Sequence, residues 1–103
     1  MSEPTGRKDD DNKLPWHLLP PDALEEILRV LQFGAVKYEP RNWEKGMAYS
    51  RLFSALMRHC WAWFRGERLD PETKLHHLAH AACCVLFLLT YELRSIGKDD
   101  RHG

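Results

Sequence analysis

Asp70–Leu93 reads DPETKLHHLAHAACCVLFLLTYEL, and this stretch decides the fold. An aspartate that can cap, a proline at the following position and a glutamate after it are the ordinary opening of a helix. They predict one helix from Asp70 to about Leu93. From Ala81 to Leu89 the chain carries no polar group except the thiols of Cys83 and Cys84, so that helix is apolar around its whole circumference and is expected to be covered on every side. With 103 residues, one small core covers it incompletely, which makes a homo-oligomer, a dimer or a larger assembly, the expected state.

Working upstream, Leu52, Phe53, Leu56, Met57, Cys60, Trp61 and Phe64 repeat at helical spacing between Ser50, a candidate N-cap, and Gly66. A first helix is predicted over 22–38, where Asp22 and Glu25 resemble a capping box and Leu24, Ile27, Leu28, Leu31 and Ala35 recur. Pro40 stops it, and the connection to the second helix reads as a loop. Leu14, Trp16, Leu18 and Leu19 are expected to anchor an extended lead-in. The organisation is a tail at 1–13 expected to be disordered, one helical domain over 14–96, and a free tail at 97–103. No alternation of strand type occurs, so the fold class is all-α, a small antiparallel helical bundle completed by oligomerisation.

Fifteen basic and fifteen acidic residues cancel. No basic stripe stands out, which argues against direct nucleic-acid binding or attachment to an anionic membrane. The start of the chain has no apolar signal core and no segment is long enough to span a bilayer, so the protein is expected in the cytoplasm. Three cysteines form no disulfide framework and read as reduced core residues.

Chemistry-bearing groups concentrate around the second and third helices. His59 shares a face with Leu52 and Leu56, and His77 and His80 stack at i, i+3. Antiparallel packing would bring Glu67, Asp70 and His59 toward that histidine pair, an arrangement with which helical proteins hold divalent metals. The plainer reading stands beside it: His59 alone suits a hydrogen-bonded core position, and helix-start chemistry suffices for Asp70 and Glu72. In the loop after the first helix, Lys37, Asn42 and Trp43 together resemble a nucleotide grip, with Arg58 and Arg65 as further candidates for phosphate. His76 is expected to point away from the pair, and His17 and His102 lie in segments with no pattern.

The ordered run LPWHLLPPDALEEILRVLQFGAVKYEPRNWEKG, then SRLFSALMRHCWAWFRGE, LDPET and HLAHAACCVLFLLTYEL, resembles the phage dATP/dGTP diphosphohydrolase family (MazZ-like) over about 13–94. That family is related to the all-α MazG nucleotide pyrophosphohydrolases. The resemblance implies metal-dependent cleavage of dGTP or dATP to the monophosphate and pyrophosphate, in phage nucleotide-pool control or modified-DNA synthesis in the host cytoplasm. His77 and His80 fall where the wider pattern has Glu and Asp, and Arg58-His59 where it has two glutamates. A site of Glu67, Asp70, His77 and His80 is therefore expected to favour Mn²⁺ or Co²⁺ over Mg²⁺. On this reading Lys37 and Arg58 or Arg65 offset charge on the leaving group, and Asn42 and Trp43 hold the purine. Glu72 or a metal-bound hydroxide serves as base, with Glu67 and His59 beside it. The rival expectations are a non-catalytic module that binds a nucleotide or partner, and a scaffold stapled by zinc through His59, His77 and His80.

Overall fold

The computed structural model describes residues 5–6 and 12–102. Most of the 1–13 tail expected to be disordered lies outside the described residues. Among these the chain is all-α: α1 spans Pro21–Lys37, α2 Tyr49–Phe64 and α3 His77–Arg94, with single 3₁₀ turns at Trp16–Leu18 and Asn42–Lys45. α3 lies in the middle, packed along α2 and, less extensively, against α1. Tyr49 meets Tyr91 at one end and His59 meets His77 and His80 at the other, so α2 and α3 run antiparallel.

α1 begins on Pro20 as cap with Pro21 inside its first turn, where a missing N–H costs nothing. Asp22 sits within that turn and accepts from Ala23 N at 2.9 Å, so the expected capping box does not form. α2 starts one residue before Ser50, on Ala48, because its cap comes from the other end of the chain. Ser50 donates from N and Oγ to the carboxylate of Asp100, at 2.9 and 2.5 Å, and Tyr49 N donates to Lys98 O at 2.9 Å. Lys98 and Asp100, expected in a free tail at 97–103, are therefore tied down: a carboxylate distant in sequence satisfies N-terminal donors and the positive dipole end of α2.

The core beneath this strap is Tyr49, Leu52 and Tyr91, with Trp43, Met47, Phe87, Leu88 and Ile96 packed against it. Backbone crosses backbone here. Gly97 has φ 81, and a Cβ on it would lie 2.8 Å from Met47 O and 2.9 Å from Tyr91 Cδ2. Left-handed strain and a clash with main chain add, so Gly97→Ala is expected to destabilise by about 2–3 kcal/mol. Urea midpoints measure this; a loss below about 0.5 kcal/mol would show that the strap yields without cost.

One chain covers α3 on one side only. Ala79, Ala81, Cys83, Cys84 and Tyr91 are buried, whereas Val85, Leu86, Leu89 and Leu93 remain exposed. Leu14, Trp16, Leu18 and Leu19 are exposed too, so the expected anchoring of the lead-in is not made within the chain. Burial pushes the Cys83 thiol up to about 12 and raises that of Cys84, so both stay protonated as the core residues expected. No helix among the described residues is long and apolar enough to cross a membrane.

Candidate functional site

The helix expected from Asp70 starts at His77 instead, and the reason builds the site. Asp70 does form one helical turn: Lys74 N donates to Asp70 O at 2.7 Å, and Thr73 N to Asp70 Oδ2 at 3.1 Å. Lys74 then takes φ 64, which breaks the turn. The chain folds back so that Leu69 pairs with His76, and His77 N donates to Arg68 O at 3.0 Å. α3 is capped by His76, whose Nδ1 accepts from Leu78 N at 3.0 Å. Upstream, α2 ends in a Schellman motif: Glu67 N donates to Ala62 O and Gly66 N to Trp63 O, with Gly66 at φ 103. That turn aims Glu67 back across the bundle toward α3.

Two hydrogen-bonded strings result. In the first, Glu67 Oε1 lies 2.6 Å from His77 Nε2, and His77 Nδ1 lies 2.9 Å from His59 Nδ1. In the second, Thr73 Oγ1 donates to Asp70 Oδ2 at 2.9 Å, so the same oxygen must accept from His80 Nε2 at 2.7 Å. The strings touch through the His59 and His80 rings, which stack 4.5 Å apart at 7°. His77 is buried, and the His80 and Asp70 side chains nearly so. Lys37, at the end of α1, donates to Glu72 Oε1 at 3.0 Å and brings a cation to the rim; that bond holds its pKa above the usual lysine value.

The structure thus unites Lys37, His59, Glu67, Asp70, Glu72, His77 and His80, with Arg58 near enough that its charge reaches His59. Arg65 folds back on its own helix, with Nε 3.3 Å from Trp61 O. One face of the Trp43 ring is occupied, because it lies on Phe87 at 4.4 Å and 12°. Phe87 is seven residues below His80, about 10 Å along α3, and Asn42 stays beside Trp43 in the 3₁₀ turn. Thr73 was not among the expected site residues, although an aspartate three positions before a threonine is a recognisable local turn.

The donors suit a borderline divalent cation in kind but not in placement. Among the described residues no three His, Cys, Asp or Glu side chains converge on a point that could hold a metal ion. Glu67 is turned to His77, His77 to His59, and His80 to Thr73. A cation on the four expected ligands, or a zinc on the three histidines, would first have to break these bonds.

Burial, then the charges of His80 and His77, lowers the His59 pKa to about 4; burial also lowers that of His80. Burial pushes the Asp70 carboxyl up, but the Thr73 hydroxyl and N–H outweigh it and hold it below the ordinary value. The unfolded chain takes up protons at these histidines below about pH 6.5 and the folded one does not. Stability should therefore be complete above that pH and fall between about 6.5 and 4. For His59 the shift would be worth roughly 3 kcal/mol unscreened and about half that in a partly solvated site. Urea midpoints at pH 7.5 and 4.5 check this, and a flat profile across that range would contradict it.

A family model described as dATP/dGTP diphosphohydrolase, N-terminal, matches residues 3–101. The chain belongs to this family. A dATP/dGTP diphosphohydrolase of Salmonella phage PMBT28 is 39% identical over 97 residues, covering 94% of this chain and 33% of the relative. The chain thus spans about a third of the length of this diphosphohydrolase. No solved structure matches it.

Proposed function

We propose that the chain carries the hydrolytic site of a dATP/dGTP diphosphohydrolase, cleaving a purine deoxynucleoside triphosphate to the monophosphate and pyrophosphate. The observation that carries the reading is the convergence of His59, Asp70, His77 and His80, with Lys37 tied to Glu72 of the same hairpin, in a chain of this family. Hydrolysis at the α-phosphorus needs a base for the attacking water and positive charge for the pyrophosphate leaving group. His59, kept neutral by burial, is the base of this proposal. Lys37 offsets charge on the phosphates, and so does Arg58, whose charge reaches His59. Glu72, whose Oε1 pairs with Lys37, is the alternative base.

Mn²⁺, Co²⁺ or Mg²⁺ belongs to the proposal as an ion arriving on the triphosphate, whose oxygens are the ligands hard cations prefer. The proton-moving residues are not assigned to it. The exposed row Val85, Leu86, Leu89 and Leu93 suits burial against a second copy, as a dimer or tetramer would provide. The test is incubation with dGTP and dATP in Mn²⁺, with pyrophosphate and phosphate read separately. Pyrophosphate with the monophosphate is expected. Release of phosphate would overturn the reading, and binding without turnover would favour the nucleotide-binding module.

A further inference from the structure

Glu67 is needed neither to end α2, which Gly66 does, nor to start α3, which His76 does. Its side chain is half exposed, yet it closes a 2.6 Å contact to a histidine nitrogen inside the bundle. We propose that Glu67, acting through His77, is a positioning residue that fixes His59 as its Nδ1–H tautomer and leaves His59 Nε2 a bare acceptor. The inference deepens the proposed hydrolysis and rests on that reading only for the use made of the acceptor.

The proton count dictates the direction of the string. An ionised carboxylate only accepts, so the Glu67 contact is an N–H bond from His77 Nε2. A neutral imidazole carries a single proton. His77 Nδ1 is then a lone pair, and the 2.9 Å contact between the two Nδ1 atoms requires the proton on His59. None is left for His59 Nε2. That atom has no hydrogen-bond partner among the described residues, and no fully buried side-chain nitrogen or oxygen there lacks one, so Nε2 is not sealed from solvent. The result is a carboxylate, a relay imidazole and a terminal imidazole with its lone pair outward, in which the bond at one nitrogen sets the function of the other. The stacked His80 ring holds the plane of His59. Its own proton is fixed on Nε2 by the Asp70 and Thr73 string, so the two rings do not compete for one proton.

Long-range ¹H–¹⁵N correlation spectra of histidine-labelled protein at pH 8, without nucleotide, read the tautomers directly. Wild type is expected to show His59 protonated on Nδ1 and His77 on Nε2. Glu67→Ala removes the acceptor, and the His59 Nε2 signal should move toward its protonated position. In His77→Gln the amide oxygen can accept from His59 while the amide nitrogen donates to Glu67, so the wild-type His59 pattern should return. Protonation of His59 on Nε2 in wild type, or no change in Glu67→Ala, overturns the proposal. Absence of pyrophosphate release with the expected tautomers would count against the hydrolase reading alone; the opposite tautomer in an active protein would count against the relay alone.

Discussion

His59→Ala should lower pyrophosphate release from dGTP by roughly 10²- to 10⁴-fold, the usual loss when a positioned general base is removed. The effect should fall on kcat and leave KM nearly unchanged, because His59 is proposed to meet the attacking water and Lys37 the phosphates. The magnitude rests on what surrounds the ring. A histidine kept neutral at pH 7 is already in the accepting form, so turnover should not depend on first removing a proton from it. Its Nδ1 is spent on His77, so only Nε2 is available to the substrate. Deleting the side chain also removes the stacking partner of His80. Far-ultraviolet circular dichroism must therefore show that the helices remain. Arg29→Ala, an exposed change on α1, is the control and should turn over at the wild-type rate. A loss below about tenfold in a folded His59→Ala protein would place the base elsewhere.

The helices were legible in the sequence where their signal is local. The spacing of Leu52, Leu56 and His59 and of Leu24, Ile27 and Leu31 predicts α1 and α2 within a residue or so at most ends. The same local logic misplaced the start of α3. Asp70, Pro71 and Glu72 open a turn as they should, but Lys74 leaves the helical region and the pairing of Leu69 with His76 takes over. Nothing at Lys74 announces this, because the alternative is fixed by contacts across the hairpin. Ser50 fails as a cap for the same reason: Asp100, fifty residues away, supplies what a cap would. The histidine convergence was legible, since i, i+3 spacing and antiparallel packing bring the rings together. Their hydrogen-bond order was not, because it depends on Gly66 turning Glu67 inward and on Thr73 occupying His80. Trp43 shows a different limit: nothing about an aromatic in a polar loop reveals that Phe87 lies stacked on it.

Tyr91→Ala should be the most destabilising single change, about 3–5 kcal/mol by the usual cost of removing a buried aromatic. Of the described residues Tyr91 alone is a fully buried large side chain. Its ring lies between Trp43 and Tyr49, at centroid distances of 6.4 and 6.2 Å, and against the Gly97 backbone. Its hydroxyl donates to Trp43 O, so the deletion also removes a hydrogen bond and leaves that carbonyl only its bond from Gly46 N. Against a total stability of roughly 5–15 kcal/mol this is enough to unfold a large fraction of the protein near 37 °C. Tyr91→Phe separates the two causes, since it keeps the ring and should lose only about 1 kcal/mol. Locally, the strap from Gly97 to Asp100 rests on this ring, so hydrogen exchange at Tyr49 and Ser50 should rise first in Tyr91→Ala. The histidine cluster sits eleven residues away on α3, about 16 Å by helix rise. In the cold, where the variant is still folded, the His59 and His77 tautomers should therefore match wild type. If the strap and the histidine signals instead fail together at every temperature, the two ends of the α2 and α3 pair form one cooperative unit, and the site owes its order to the aromatic core.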